Sequence, residues 1–216
     1  MIRETFPVGL LACNCSILGD ETSREAIVID PGYDIPYILT RLAAHQLTVR
    51  QIVVTHAHID HIAGALELKR ITGASILYNQ ADIPQLAIMD KQAAWVGVRT
   101  PEVCPPDHSP ADNETVSVRG LEGKILYTPG HTEGSLCFYV PSQNLLLAGD
   151  TLFAGSIGRT DLPGGDQDTL FASIRDRLLP LPEDTIVIPG HGEETTLAVE
   201  RATNPFVRYL TGKSRA

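Results

Sequence analysis

No stretch of this chain approaches the ~18 consecutive apolar residues that a membrane-spanning helix requires. Its opening, Met1-Ile2-Arg3-Glu4-Thr5-Phe6-Pro7, carries an acid early and lacks the long apolar core of a secretory signal. There is no Ser/Gly linker, low-complexity block or short-period repeat. Positive charge is also scarce: 17 Lys and Arg stand against 26 Asp and Glu, a net charge of −9, so a nucleic-acid partner is not expected. Only four cysteines occur, Cys13, Cys15, Cys104 and Cys137, and their spacing is not that of a zinc ribbon. They read as small buried side chains in a reducing compartment. These absences predict a cytoplasmic protein with no membrane association, built as a single domain over residues 1–216. With no heptads and no clear apolar surface stripe, the sequence specifies no oligomeric state.

The 216 residues are 43% apolar and 20% charged, an ordinary globular balance with ample material for a core. Short apolar runs that end at Gly, Asp or Pro recur along the chain. Residues 16–18, 26–29, 52–54 and 75–78 read as strands, as do 115–118, 125–127, 135–140, 144–148 and 185–188 in the second half. Between them, Ile35, Ile38, Leu39 and Leu42 share one helical face over residues 34–45, with Asp34 as N-cap. Further helices are expected over residues 62–71, 80–89 and 169–178. Residues 79–113, interrupted by Pro84, Pro101, Pro105, Pro106 and Pro110, read as a surface excursion beside the substrate mouth. There the only tryptophan, Trp95, and Tyr78 either line the mouth or pack in the core. Two β-rich halves packed face to face with helices outside is the α/β (α+β) architecture these elements predict.

Within this pattern, Thr55-His56-Ala57-His58-Ile59-Asp60-His61 follows directly on the apolar run Ile52-Val53-Val54. Imidazole is the commonest protein metal ligand, and carboxylate oxygen suits the same borderline cations. His56 and His58, two apart, project to one side of an extended segment as a chelating pair, while Asp60 and His61 turn away and serve a second ion. Two more histidines, His131 and His191, each follow a Pro-Gly pair, and Asp150 ends the run Leu145-Leu146-Leu147-Ala148-Gly149. Gly130 and Gly190 let backbone approach closely. Seven side chains at strand ends thus suffice for two adjacent metal sites, with Asp150 able to bridge them. The remaining histidines, His45 and His108, read as ordinary surface residues.

The run Thr-His-Ala-His-Ile-Asp-His followed by Ile-Ala-Gly resembles the H-x-H-x-D-H signature of the metallo-β-lactamase superfamily. Pro-Gly-His131-Thr-Glu-Gly-Ser, Ala-Gly-Asp150-Thr-Leu-Phe and Pro-Gly-His191-Gly are similar to its later motifs, in the same order. The resemblance spans about residues 6–205. It implies a four-layer αββα sandwich in which His56, His58 and His131 hold one divalent metal and Asp60, His61 and His191 hold another. Asp150 would bridge the two, Asp60 would also orient the nucleophile, and Asp30 in Ile29-Asp30-Pro31-Gly32 would support the site from behind. Zinc is the expected metal, with iron or manganese as alternatives.

The segment Gly155-Ser156-Ile157-Gly158-Arg159-Thr160-Asp161 with Gly164-Gly165-Asp166 resembles the short, glyoxalase II-like branch. That resemblance implies a binuclear hydrolase cleaving a small-molecule hydroxyacyl thioester such as S-lactoylglutathione with a hydroxide shared by the metals. Arg159 stands where glyoxalase II places a basic glutathione contact, although it is also placed to brace its own loop through Asp161. The branch's aromatic glutathione contact is replaced near this point, and the C-terminal glutathione-binding helical domain of full-length glyoxalase II is not expected. The alternative is a mononuclear iron persulfide dioxygenase using His56, His131 and Asp150 as a facial triad. A promiscuous lactamase or lactonase, or a phosphodiesterase, ranks below both.

Overall fold

Burial on both faces of two sheets accounts for the recurring apolar runs. The protein is described here by a computed structural model over residues 1–212. The first sheet has the spatial order β1 (Ile2–Val8), β2 (Cys13–Gly19), β3 (Glu25–Ile29), β4 (Thr48–Val53), β5 (Ser75–Leu77). The second contains β6 (Thr115–Val118), β7 (Leu121–Tyr127), β8 (Leu136–Val140) and β9 (Leu145–Gly149), with a small separate ribbon of β10 (Leu152–Phe153) and β11 (Ser156–Ile157) following it in the chain. Strands β12 (Ile186–Pro189) and β13 (Thr195–Thr196) complete the second sheet, whose order is β13-β12-β9-β8-β7-β6.

Period-two alternation sorts these strands into three apolar layers. Ile27 and Ile29 of β3 meet Leu136, Phe138 and Leu147 of the second sheet between the two sheets. Ala26 and Val28 face outward onto α1 (Ile35–Ala44), α2 (Ile59–Ile62) and α3 (Ala65–Thr72). On the far side, Cys137, Leu146 and Ala148 pack under α6 (Gln167–Ser173), α7 (Leu197–Thr203) and α8 (Pro205–Leu210), α4 (Ile83–Leu86) and α5 (Met89–Val96) lying nearer the first sheet. The result is the four-layer αββα sandwich expected from the sequence. Cys13, Cys15 and Cys137 are buried, Cys104 is half-buried, and all four are free thiols. Among the described residues no helix is long and apolar enough to cross a membrane.

Strand direction decides where the loops gather. Pairs β3–β4, β4–β5 and β9–β12 are parallel, and the β7–β8 and β8–β9 pairs are antiparallel. Thus β7, β9 and β12 run the same way, as do β3 and β4, and every predicted metal ligand lies just beyond the C-terminal end of one of these strands. Because β2 is antiparallel to β3, the β1–β2 hairpin tip reaches the same edge. Open α/β sheets place ligand sites at such an edge.

Several elements differ from the sequence expectation for local reasons. Strand β1 was not anticipated, because its exposed face carries Arg3 and Thr5 and it forms a sheet edge. Asp34 does not cap α1 with its side chain: it adopts φ +57°, and its carboxylate accepts the Gly9 N–H at 2.8 Å. The helix expected over residues 62–71 is divided into α2 and α3 at Gly64, where an added Cβ would lie 2.4 Å from the Pro31 carbonyl oxygen. The helix expected over residues 80–89 is a 3₁₀ turn and α4, with the longer α5 beyond it. Around α6, Asp166 accepts from Thr169 N–H at 2.7 Å as N-cap, and residues Ile174–Leu178 widen into a π turn closed by Leu179 N–H to Ile174 O.

Helix α1 is tied to the edge strand by Glu4, which accepts from Arg41 Nε and Nη2 at 2.6 Å each and contacts His45. The Arg41 hydrogen bond outweighs partial burial and draws the Glu4 pKa from 4.5 to about 2. A depressed carboxylate pKa stabilises the fold above the unfolded value and ceases to as pH falls through the folded one. Glu4→Gln should therefore lower the urea midpoint at pH 7, with the difference from the parent constant above pH ~4.5 and closing toward pH ~2. Urea titrations across that range check it.

Candidate metal centre

All seven predicted ligands converge at the shared strand edge. After β4, residues 54–58 turn into α2, so that His56 and His58 come from the turn while Asp60 and His61 come from the helix. His131 arrives beyond β7, Asp150 directly follows β9, and His191 follows β12. The nitrogens of His56, His58 and His131 form a triangle: His56 Nε2 to His58 Nδ1 is 3.1 Å, His131 Nε2 to His56 Nε2 is 3.2 Å, and His131 Nε2 to His58 Nδ1 is 3.0 Å. Tetrahedral zinc with Zn–N bonds near 2.0–2.1 Å separates its nitrogens by roughly 3.3–3.4 Å, close to these edges.

A second group lies beside the first. His61 Nε2 is 3.4 Å from His191 Nε2 and 3.7 Å from Asp60 Oδ2, and His191 Nε2 is 3.1 Å from the same oxygen. Asp150 reaches both groups, with Oδ2 at 3.5 Å from His131 Nε2 and 3.8 Å from His191 Nε2, and Oδ1 at 3.5 Å from His61 Nε2. Its buried Oδ1 has no hydrogen-bond partner, which is costly for a carboxylate oxygen. That oxygen fits because Gly190 has no side chain: a Cβ there would lie 2.1 Å from it and 2.8 Å from His61 Cε1.

The outer ring atoms fix the protonation pattern. His131 Nδ1 donates to the Arg159 carbonyl at 2.8 Å, and His191 Nδ1 donates to the Leu11 carbonyl at 3.0 Å. Asp30, at φ +52°, accepts from His61 Nδ1 at 3.0 Å and from the Thr55 hydroxyl at 2.7 Å. With its proton given to Asp30, the Thr55 oxygen is free to accept from His56 Nδ1 at 3.2 Å. A neutral imidazole has one donor and one acceptor, so His56, His61, His131 and His191 all turn Nε2 lone pairs inward. Acceptors facing acceptors at these distances call for a cation, and the donor set is one that divalent metals take.

Electrostatics divide the centre in two. Burial and the neighbouring histidines hold His56 well below the ordinary imidazole range, and burial together with His131 draws His58 to about 3. Around the other group, burial alone would lower His61 and His191, but Cys13 and the carboxylates beside His61, and Asp60 and Asp150 beside His191, outweigh it and both stand raised, His61 strongly. Burial alone would likewise raise Asp60, yet His61, His191 and His58 hold it below the carboxylate range. One half is ready to ligate as neutral imidazole, and the other demands positive charge.

Several braces were not legible in the sequence. Asp82 is buried and accepts from Ala57 N–H at 2.8 Å, Gly134 N–H at 2.6 Å and the Thr132 hydroxyl at 2.9 Å, clasping the His58 and His131 loops together. Gln92 accepts from Ile59 N–H at 2.8 Å. Asn14 Nδ2 donates to the Pro189 and Gly192 carbonyls at 3.0 and 2.9 Å, fixing the turn that carries His191. Cys13 Sγ lies 3.5 Å from His61 Nδ1. Their positions beside the strand-edge motifs become evident only in three dimensions. Arg159 stands at the rim, with Nε and Nη2 donating to Asp161 at 2.7 and 2.8 Å. Trp95 lines the mouth, whereas Tyr78 is core, its hydroxyl donating to Cys104 O at 2.8 Å. His45 and His108 lie apart from the centre, against Glu4 and Glu114.

The profile of the metallo-beta-lactamase superfamily matches residues 8–191. The chain belongs to this superfamily. Hydroxyacylglutathione hydrolase GloC of Haemophilus influenzae is 36% identical over 206 residues, covering 94% of this chain and 97% of that protein. Among solved structures, the BLEG-1 B3 metallo-beta-lactamase superposes with a TM-score of 0.88 at 34% identity, covering 95% of this chain and 99% of that one. TTHA1623 in a di-iron-bound form gives 0.84 at 34% identity, covering 95% and 100%. Membership implies a metallo-hydrolase fold that takes divalent metals, in agreement with the inward donor set.

Asp30 is the single anion behind two of the inward-facing rings, His61 directly and His56 through Thr55. Loss of such a support weakens metal binding by about 10–100-fold. Asp30→Asn keeps a residue tolerant of positive φ but removes the charge. Competition against a chelator, with circular dichroism to check folding, should show metal affinity falling by about tenfold or more.

Proposed function

We propose that this protein is a binuclear metal-dependent hydrolase acting on a hydroxyacyl thioester. The observation that carries the reading is the pair of inward-facing donor groups joined by Asp150 at the floor of a cavity of about 660 Å³. His56, His58 and His131 would hold one cation, and Asp60, His61 and His191 the other, with Asp150 between them. Divalent cations bound there supply Lewis acidity and lower the pKa of water, so that a nucleophile is present near neutral pH. Zinc fits the tri-histidine triangle, and iron is the other candidate, since a di-iron form exists for a relative.

The chain's own residues then do the positioning. Asp60, held anionic by its neighbours, accepts a hydrogen bond from the attacking water and orients it toward the carbonyl. Asp30, Thr55 and the carbonyls of Leu11 and Arg159 keep the ligand rings from turning. Asp82 and Asn14 hold the loops that carry His58, His131 and His191 at fixed separation.

Leaving-group chemistry favours the thioester. A thiol with a pKa near 8.5 departs as thiolate without assistance, whereas an amine leaving from a lactam needs a proton. Beyond the metal-centre histidines and aspartates, the residues lining the cavity include no Lys, Tyr, Glu or Cys that would serve as that acid. Similarity to a protein named hydroxyacylglutathione hydrolase supports the same choice.

Protein loaded with two equivalents of zinc should hydrolyse S-lactoylglutathione or another hydroxyacyl thioester, read as loss of thioester absorbance. His58→Ala should reduce that rate by at least about 10²-fold, the scale of losing an essential catalytic group. Turnover of a β-lactam without any thioester would replace the reading with a lactamase. One bound iron and sulfite release from glutathione persulfide would replace it with the dioxygenase.

A further inference from the structure

The wall of the cavity narrows the thioester reading, on which this inference rests, to a class of thiol carrier. A hydroxyacyl group of a few heavy atoms at the metal centre leaves most of the 660 Å³ for whatever the sulfur is attached to. That remaining wall is largely apolar, with Leu11 from the β1–β2 hairpin tip, Ile59, Trp95, Val96, Leu162 and Pro163. Leu11 and Trp95 keep 47% and 61% of their surface exposed, and Leu10 beside Leu11 keeps 76%, so these side chains present apolar area rather than filling a core.

The polar groups in this wall are already engaged. Gln92 Oε1 accepts from Ile59 N–H, and its Nε2 donates to Gln85 O at 3.1 Å. Gln85 Nε2 donates to the Pro163 carbonyl at 2.6 Å. Among the described residues that line the cavity Arg159 is the only Lys or Arg, and its fork is filled by Asp161 in bidentate geometry. An exposed pair of this kind is weak, so Asp161 acts less as a lock than as a counter-charge that leaves the rim near neutrality. Glutathione brings two carboxylates and one ammonium. Among the described lining residues no cation is left to receive the carboxylates, and desolvating them against Leu and Trp without a partner is unfavourable.

We propose that the cavity selects a thioester with an uncharged, largely apolar thiol carrier over one carried by glutathione, and that Asp161 is a specificity-determining residue that cancels Arg159. Hydrophobic contact with Leu11, Trp95, Val96 and Leu162 supplies the affinity. The Arg159–Asp161 pair withholds the charge that an anionic carrier would need.

Two non-hydrolysable thioethers test this, each with the same S-hexyl group, one on N-acetylcysteamine and one on glutathione. Binding to the zinc-loaded protein is followed by calorimetry and by fluorescence of Trp95, the one tryptophan in the chain. The neutral thioether should bind about tenfold more tightly. Asp161→Asn, which frees Arg159, should narrow that gap by about threefold or more by tightening the glutathione ligand. Equal or tighter binding of the glutathione ligand by the parent protein overturns the proposal, as does an unchanged gap in the variant or binding of neither ligand. Thioester turnover measured on the same preparation judges the hydrolase reading separately. Turnover without the expected preference leaves the hydrolase standing and removes only the carrier, whereas the preference without turnover supports the pocket and removes the hydrolase.

Discussion

Lone pairs pointed at lone pairs are the constraint on which the rest of this structure depends. Four imidazoles give their outer protons to a carbonyl, a carboxylate or a hydroxyl, and therefore turn unprotonated nitrogens toward one another and toward two carboxylates, Asp60 and Asp150. No arrangement of neutral rings satisfies such a cluster. A divalent cation resolves it. The raised values of His61 and His191 express the same need, because in a proton they would accept the positive charge that a metal would otherwise bring.

Topology makes the cluster possible. Strands that run in one direction deliver their C-terminal turns to one edge, and the two sheets bring these edges together across a shared apolar layer. Each ligand then sits within a few residues of a strand end or, for Asp60 and His61, on the short helix α2 that follows β4, so little loop entropy opposes its placement. The antiparallel β1–β2 hairpin ends at the same edge with its tip rather than with a ligand. It contributes Leu11 O, Asn14 and Cys13 to the His61–His191 side, and the Leu11 side chain to the cavity. One hairpin thereby takes part both in fixing the centre and in shaping what reaches it.

How much of this was readable beforehand follows from what each residue answers to. The layered sandwich was legible because short apolar runs such as Leu145-Leu146-Leu147-Ala148, ended by Gly, Asp or Pro, are a local pattern with a local cause. The seven converging side chains were legible because histidine at strand ends is rare without chemistry. Asp82 was not: it lies in an irregular segment, and its three donors come from residues 57, 132 and 134, which no spacing rule connects to it. Asn14 is similar, since alternation places Cys13 and Cys15 inward but does not reveal that the intervening amide spans two carbonyls some 175 residues away. The helix breaks at Gly64 and after Leu86 also escaped periodicity, for the apolar pattern continues across them while the backbone yields to tertiary contacts. Arg159 was ambiguous for a different reason. Its position matched a glutathione contact, but the adjacent Asp161 decides whether its charge is available.

Reaction type and substrate choice rest on different parts of this structure. The metal centre is built from residues whose demands are steep: a lost ligand or a rotated ring costs affinity by orders of magnitude, so the set is all or nothing. The wall above it obeys gentler terms, each contact contributing on the scale of a buried methylene or an exposed ion pair. Relatives of near-equal identity accordingly carry the names of a glutathione thioester hydrolase and a lactamase. Both likenesses, at 34–36% identity, extend over almost the whole chain. Substrate choice in this protein is therefore to be sought in the few side chains between Leu11 and Leu162, where a single carboxylate stands beside a single guanidinium.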